Sequence, residues 1–145
     1  MPYSEILIAP MREDLTRHGI EEARTPEDVD RLLAPGSGTV LMVTNSVCGC
    51  AAGKARPGIA MALRHSVRPD KAATVFAGAD EAAVAHLRSL LKDVPPSSPS
   101  VALFKDGKPV WLMHRRDIEP RDAYQIAQVL TDAFDKYCVK QPATA

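Results

Sequence analysis

The fold of this chain is decided by the stretch Thr39-Val-Leu-Met-Val-Thr-Asn-Ser-Val-Cys-Gly-Cys50, in which an apolar run leads into two cysteines one residue apart. Residues 39–44 are nearly continuously apolar, as expected of a strand that is buried on both faces of a sheet. The residues after the cysteines, 51–66, indicate a helix that is interrupted at Pro57-Gly58. The stretch therefore predicts two thiols where a central strand gives way to a helix.

Strand and helix signals alternate on both sides of this stretch. Helix caps, proline at a first helical position and an Asp-Gly turn mark most of the boundaries. The predicted order is a short helix followed by β-α-β-α-β-α-β-β-α, which is an α/β fold with parallel pairing and an antiparallel edge. The predicted elements are a helix Met11–His18 closed by Gly19, a short strand Ile20–Arg24, a helix from Thr25-Pro26, a strand Ala72–Ala77, a helix capped by Asp80, a hairpin of Val101–Lys105 and Lys108–Met113 around Asp106-Gly107, and a last helix opened by Pro120.

Composition limits the classes of protein to which the chain can belong. With 145 residues, 46% of them hydrophobic, it is long enough for one domain with an ordinary core. The 18 basic and 18 acidic residues balance and only 5% of residues are aromatic, which argues against a nucleic-acid partner. No apolar run approaches the roughly 20 residues needed to span a membrane, and residues 1–10 make a poor signal peptide. Three cysteines are too few for a secreted disulfide scaffold, so we expect a soluble cytoplasmic protein.

The two close cysteines indicate thiol–disulfide exchange. If Ser46 is the N-cap, Cys48 lies at the second helical position, where free N–H groups and the helix dipole favour a thiolate. Cys48 is therefore the predicted nucleophile and Cys50 the predicted resolving thiol. Side chains two residues apart on a helix diverge, so a Cys48–Cys50 disulfide must distort the first turn, and Gly49 is best able to allow this. A strained disulfide is easily reduced, which favours an oxidant or isomerase over a reductant.

A resemblance to a known fold extends from about Ile20 to Tyr137. The element order, the cysteine pair after the second strand and Pro99, preceded by Ser98, resemble the thioredoxin fold. The resemblance implies a three-layer domain with a mixed central sheet and a cis Pro99 that faces the redox site. We therefore predict a single domain over residues 1–145, with a core at about 20–138 and an N-terminal helical extension at 1–19.

Two motifs narrow the resemblance to the bacilliredoxin family. They are Asn45-Ser-Val-Cys-Gly-Cys-Ala-Ala-Gly-Lys-Ala-Arg-Pro-Gly58 and the ending Ala133-Phe-Asp-Lys-Tyr-Cys138. The resemblance implies an enzyme that removes the small thiol bacillithiol from protein cysteines and isomerises disulfides. Two positions depart from thioredoxin itself: Met42 stands where that protein has a buried acid, and Val47 where it has an aromatic residue. These departures argue against a thioredoxin-like reductant.

Basic residues are predicted to form a rim around the cysteines. By topology, His114, Arg115 and Arg116 return to the end of the sheet where the cysteines lie, while Lys54 and Arg56 flank them from the helix. Because bacillithiol carries a malate moiety, a basic rim would help to bind it. By default, however, residues 114–116 are a surface cluster and Arg56 is a solvated arginine.

The expected partners are bacillithiolated or disulfide-bearing client proteins and a low-molecular-weight thiol, with no cofactor, resident metal, nucleic acid or membrane. Two alternatives stay open. One is a general disulfide isomerase. The other is a soft-metal binding module, or a redox-gated adaptor, in which the two thiolates and further ligands hold an ion such as Cu(I) or Zn²⁺. Cys138, at the end of the last helix, is expected to be a sluggish spare thiol.

Overall fold

The computed structural model describes residues 3–91 and 94–139, which form one five-stranded sheet flanked by helices. Its element order is the predicted one, with one additional short helix after the last strand. No helix within those two ranges is long and apolar enough to cross a membrane. The elements are α1 (Glu5–Thr16), β1 (Glu21–Glu22), α2 (Pro26–Leu32), β2 (Thr39–Asn45), a π-helical turn (Ala51–Ala55), α3 (Arg56–Ala62), β3 (Lys71–Phe76), α4 (Glu81–Ser89), β4 (Ser100–Lys105), β5 (Lys108–Met113), α5 (Arg115–Ile118) and α6 (Ala123–Tyr137).

The sheet is mixed, as predicted, and β2 lies at its centre. The strand order is β1-β3-β2-β4-β5, with β2 parallel to β3 and antiparallel to β4. Thr44 near the end of β2 lies opposite Ser100 at the start of β4, and β5 runs back antiparallel to β4. The end of β2, the start of β4 and the end of β5 therefore meet at one end of the sheet. We call this the cysteine end.

The core consists of two hydrophobic clusters, one on each face of the sheet. Alternate residues of β2 point to opposite faces, so Leu41 and Val43 pack with residues of α3 and α6, and Val40 and Met42 pack with residues of α2 and α4. All seven residues of β2 are buried, which confirms the prediction of a strand covered on both faces. The predicted three-layer α/β architecture is thereby confirmed.

The helix after the cysteines remains helical across Pro57 and contains a π-helical turn instead of a break. Proline lacks an N–H and its ring would clash with the carbonyl four residues earlier. The wider turn Ala51–Ala55 precedes it, and the Arg56 N–H donates to Ala51 O, five residues back. The predicted interruption at Pro57-Gly58 and the predicted end at Ser66 are both wrong, since α3 ends at Ala62.

Gly58 lets α3 approach α6 closely. A Cβ atom at this position would lie 2.7 Å from Ile126 Cγ2 and 3.0 Å from Ala123 O, which is closer than these groups can tolerate. The two helices pack against each other over the cluster that contains Ile59, Ile126 and Leu130. The glycine therefore serves the packing of the helix that carries the cysteines.

Two helix boundaries differ from the prediction. The first helix begins at Glu5, six residues before Met11, and includes Pro10. It extends this far because Ile8 and Leu15, two turns apart, are both fully buried. The last helix begins after Asp122, whose carboxylate accepts the Gln125 N–H at 2.8 Å, rather than at Pro120.

Asp80 precedes α4, as predicted, but its side chain does not cap that helix. Its carboxylate instead accepts hydrogen bonds from the Arg12 guanidinium at 2.8 and 2.9 Å and from the Phe76 N–H at 3.0 Å. Arg12 and Asp80 are both buried, so each provides the partner that the other needs away from water. The Arg12–Asp80 pair therefore links α1 to the end of β3.

Candidate functional site

Cys48 is the N-cap of the helix that carries the cysteine pair. The first helical residue is Gly49, and the Cys48 carbonyl accepts hydrogen bonds from the Ala51 N–H at 3.0 Å and the Ala52 N–H at 3.2 Å. The prediction that Ser46 is the N-cap is wrong by two residues. The Ser46 hydroxyl instead accepts the Cys48 N–H at 3.2 Å and so shapes the loop that leads into the helix.

The surroundings of Cys48 favour the ionised form of its thiol. Burial acts to raise the pKa of Cys48, but hydrogen bonds from the Ala51 N–H, the Ser46 hydroxyl and the Cys50 N–H lower it more. The positive charge of Arg115 lowers this pKa further, so the pKa lies below its usual value. A side chain at the N-cap accepts from the same N–H groups that an Asp or Ser cap would use. Cys48 is therefore well placed to be a thiolate.

Cys50 lies two residues further along the helix and faces inwards. It is half-buried and packs against the hydrophobic cluster between the sheet and the helices α3 and α6. Gly49 between the two cysteines is exposed, and a Cβ atom added there would meet no other atom within 4 Å. Both cysteines are free in this structure.

The Ser98–Pro99 peptide bond is cis, which confirms this part of the prediction for Pro99. Pro99 is buried and directly precedes Ser100, which pairs with Thr44 at the end of β2. This register places the proline at the cysteine end of the sheet, as the topology predicted. The roles of Ser98 and Pro99 in binding a substrate remain predictions.

Arg115 is the residue of the predicted basic rim whose charge acts on both cysteines. Its N–H donates to Ser97 Oγ at 3.3 Å and its Nη1 donates to Ser98 O at 3.3 Å, so it also contacts the loop that contains the cis proline. Its Nε donates to Glu119 Oε1 at 2.8 Å. Arg115 thus lies between the proline loop and the cysteines.

The other predicted rim residues are placed differently. Arg116 is exposed, and His114 is half-buried beside Thr44 and Ser100. The Lys54 ammonium donates to the Glu119 carbonyl. Of the residues predicted from the end of β5, the structure therefore brings the charge of Arg115 to the cysteines, and it leaves the binding roles of the others as predictions.

Arg56 is buried, with 4% of its surface exposed, so the reading of Arg56 as a solvated arginine is wrong. Its Nη1 donates to Asn45 Oδ1 and to Ser46 O, both at 3.2 Å, and its Nε lies 3.2 Å from Asp14 Oδ2. It therefore belongs to the wall behind the cysteine loop rather than to the exposed rim. Sequence reasoning missed Asn45 and Asp14, although a polar residue at the end of a buried strand signals a required hydrogen-bond partner.

Cys138 lies at the opposite end of the sheet. It is buried at the C-terminal end of α6, and burial raises the pKa of its thiol, while a hydrogen bond with Thr39 at the start of β2 acts to lower it. The seven residues of β2 span roughly 20 Å between the two ends. Cys138 is thus separated from the cysteine pair and is a poorer nucleophile than Cys48.

The cysteine pair lacks the additional ligands that a metal site needs within the described part of the chain. There, no group of three or more His, Cys, Asp or Glu side chains is arranged to hold a metal ion. A soft-metal site would need further ligands beside the two thiolates.

The chain is similar to known proteins over nearly its whole length. The disulphide isomerase family matches residues 3–138. Bacilliredoxins from Koribacter versatilis and Geobacillus kaustophilus are 51% and 46% identical to the chain, each over 94% of it and 94% of the relative. A bacilliredoxin from Salinibacter ruber is 47% identical over 97% of the chain and 83% of the relative.

Two solved structures share the fold. Oxidised thioredoxin O2 from Arabidopsis thaliana superposes with a TM-score of 0.55 at 16% identity, over 81% of this chain and 96% of that one. Another protein with a thioredoxin fold reaches a TM-score of 0.61 at 15% identity, over 75% of this chain and 91% of that one. The likeness confirms the predicted thioredoxin fold, and the near full-length identities show that this chain belongs to the bacilliredoxin family.

Proposed function

We propose that this protein removes bacillithiol from protein cysteines by thiol–disulfide exchange, with Cys48 as the nucleophile and Cys50 as the resolving thiol. The observation that carries the proposal is the position of Cys48 at the start of a helix, where its carbonyl accepts the Ala51 and Ala52 N–H groups and where hydrogen bonding and the charge of Arg115 lower the pKa of its thiol, in a bacilliredoxin chain. A stabilised and partly accessible thiolate at the start of a helix is what attack on a disulfide requires.

In the first step, the Cys48 thiolate attacks the bacillithiol sulfur of the client's mixed disulfide. A bond forms between Cys48 and bacillithiol while the bond between bacillithiol and the client breaks. The client cysteine leaves with the electron pair as a thiolate and takes a proton from water. No bound cofactor takes part, because the electrons stay among the sulfur atoms.

In the second step, a thiolate releases bacillithiol from Cys48. Cys50, after losing its proton, attacks the Cys48 sulfur, and the small thiol leaves as a thiolate. The product is a Cys48–Cys50 disulfide, which an external dithiol must reduce with two electrons. Alternatively, a second bacillithiol molecule attacks the sulfur of the bound one, which frees Cys48 and leaves the disulfide of bacillithiol.

The proposed location is the cytoplasm. A protein with few cysteines that uses them for redox exchange is typical of that compartment, where structural disulfides are rare.

A defined client tests this proposal. A protein with one exposed cysteine is loaded with bacillithiol and incubated with the reduced protein in the presence of a metal chelator, and intact mass spectrometry follows both partners. We expect the client to lose the mass of bacillithiol and the protein to gain it transiently. The same client loaded with glutathione serves as the comparison. A client that keeps its bacillithiol would overturn the proposal.

General disulfide isomerisation is the second candidate, because the matching family is described as disulphide isomerase. An isomerase acts on disulfides between protein cysteines, without a small thiol. Refolding of a protein with scrambled disulfides, followed by recovery of its activity, separates the two candidates. Isomerisation that matches the turnover of the bacillithiol-loaded client would favour this broader function.

Arg115 and Arg116 provide a matched pair for testing recognition of the small thiol. The charge of Arg115 reaches the cysteines, whereas Arg116 is an exposed neighbour with the same charge. We expect Arg115→Gln to slow exchange with anionic bacillithiol about three- to tenfold and Arg116→Gln to change it less than about twofold. Exchange with a neutral dithiol should slow less in the Arg115 variant, and salt should shrink the difference. Equal effects of the two substitutions would show that Arg115 has no special role.

A further inference from the structure

Arg56 brings a buried positive charge to the back of the loop that ends in Cys48. Its two hydrogen bonds, to Asn45 Oδ1 and Ser46 O, hold the residues three and two positions before the nucleophile. Burial lowers the pKa of Arg56, and the negative charges of Asp14 and of the Cys48 thiolate oppose that change. Because the guanidinium is 4% exposed, its field is screened less by water and salt than that of a surface arginine.

Asp14 of α1 is the counter-ion of this buried arginine. Its Oδ2 lies 3.2 Å from Arg56 Nε, and its Oδ1 accepts a hydrogen bond from the exposed Arg17 at 3.0 Å. A second contact ties the loop to the same helix, since Asn45 Nδ2 donates to the Met11 carbonyl at 3.1 Å. Helix α1 therefore contacts the end of β2 through one neutral hydrogen bond and Arg56 of α3 through one charged pair.

We propose that Arg56 is a positioning residue of the redox site, whose buried charge stabilises the Cys48 thiolate, and that Asp14 attenuates this charge from α1. The proposal rests on the role of Cys48 as the attacking thiolate. It assigns to the N-terminal helix an electrostatic influence on the chemistry, in addition to its contribution to the core.

Other charged groups face this pair from the neighbouring elements. Arg115 acts on Cys48 from α5, and Cys50 lies on the same helix as Cys48. Arg17 and His18 from the end of α1 and Arg64 after α3 line a cleft of about 300 Å³ with Arg56 and Asp14. Arg17, His18 and Arg64 are exposed, so solvent weakens their influence on the thiol.

The proposal makes two predictions of opposite sign for substitutions that break one ion pair. Removing the charge of Arg56 leaves the thiolate less stabilised, so Cys48 should ionise at higher pH. Removing the charge of Asp14 leaves Arg56 uncompensated, so Cys48 should ionise at lower pH. If the ion pair served only to hold α1 and α3 together, both substitutions would loosen the same contact and would shift reactivity in the same direction.

The test measures alkylation of Cys48 by neutral iodoacetamide from pH 5 to 10, in a protein that also carries Cys50→Ser and Cys138→Ser. At pH 6 we expect Arg56→Met to react about threefold more slowly and Asp14→Asn about twofold faster than the parent. Glu13→Gln, which neutralises an exposed acid next to Asp14, is the control for net charge and should leave the profile unchanged. Arg56→Lys keeps the charge and should recover most of the reactivity.

The quantity compared between each variant and the parent is the pH at which the rate of Cys48 alkylation rises. Shifts in one common direction for Arg56→Met and Asp14→Asn, or no shift in either, would overturn the proposal. Should Arg56→Met fail to fold in a urea titration, Asp14→Asn against Glu13→Gln decides alone, because only the attenuation by Asp14 predicts a faster reaction. Alkylation involves no bacillithiol, so this result is independent of whether the protein accepts bacillithiolated clients.

Discussion

Replacing Cys48 by serine is expected to abolish release of bacillithiol from a loaded client, whereas replacing Cys50 is expected to stop the reaction after its first step. The Cys48 sulfur receives the hydrogen bonds that stabilise a thiolate, so its removal takes away the attacking group. With Cys50→Ser, Cys48 should still take bacillithiol from the client and then hold it. Intact mass spectrometry should show one bacillithiol adduct on the Cys50 variant and none on the Cys48 variant, with a loss of rate of about a thousandfold or more in the latter.

Cys138→Ser supplies the control for this experiment. That thiol is buried at the opposite end of the sheet and its pKa is raised by burial, so its removal should leave exchange unchanged. Peptide mapping then assigns each adduct to one residue. An adduct on Cys50 in the Cys48→Ser protein, together with an unmodified Cys48 in the Cys50→Ser protein, would reverse the roles of the two cysteines.

The oxidised protein is expected to be less stable than the reduced protein at pH 9. Oxidation converts the Cys48 thiolate into a neutral disulfide sulfur and so removes the charge that the lowered pKa of this thiol shows to be stabilised in the folded chain. The Cys48–Cys50 ring closes only three residues, so its entropic effect on the unfolded chain, less than about 2 kcal/mol, is the smaller contribution. Urea unfolding of both forms measures the difference. By linkage, the pair is then a stronger oxidant, with about 30 mV for each ~1.4 kcal/mol.

The same argument predicts how this difference depends on pH. The pKa of Cys48 is lower in the folded chain than in the unfolded chain, where a thiol titrates near 8.5. The thiolate therefore stabilises the reduced fold fully above the unfolded value, and this stabilisation is lost as the pH falls through the lowered folded value. The stability difference between reduced and oxidised protein should accordingly shrink from pH 9 to pH 5. Cys138 stays a thiol in both forms, so its titration cancels.

Gly49→Ala tests whether strain in the Cys48–Cys50 ring, in addition to the loss of the thiolate, lowers the stability of the oxidised protein. In the reduced protein the added methyl group meets open space, so we expect the stability of that form to change by less than about 1 kcal/mol. If glycine is needed to close the ring, the oxidised form should lose more stability than the reduced form. Equal or greater stability of the oxidised wild-type protein would remove the argument for an oxidising pair.

Signals carried by a few neighbouring residues determined most of the fold. The apolar run of β2 identified the central strand because strands buried on both faces need apolar residues at every position. Thr25 and Pro26 identified the start of α2, where Thr25 Oγ1 accepts the Asp28 N–H at 3.1 Å. The turn at Asp106-Gly107 has φ angles of 49° and 84°, and these two residue types tolerate such angles better than others.

The fold in turn determined the positions of several residues of the site. The strand order brings three features together at the cysteine end: the end of β2, the cis proline before β4 and Arg115 after β5. They meet there because β4 runs antiparallel to β2 and β5 runs antiparallel to β4. The cysteine pair and its position after a strand were visible in the sequence. The cap was not, since Ser46 and Cys48 both have side chains that can accept from a helix N-terminus, and only the path of the loop selects Cys48.

Tertiary structure alone decided which charges are buried. Arg12 and Arg56 look like ordinary polar residues in the sequence, yet each is buried beside an aspartate that lies far away in the sequence, Asp80 and Asp14 respectively. A buried guanidinium is stable only with such a partner, and the partner is brought by packing rather than by sequence spacing. The amino-acid sequence by itself therefore determined the order of helices and strands along the chain, the cysteine pair and the likeness of the chain to its family. The tertiary structure decided the electrostatics of the nucleophile, because those depend on distances between groups that are far apart in the chain.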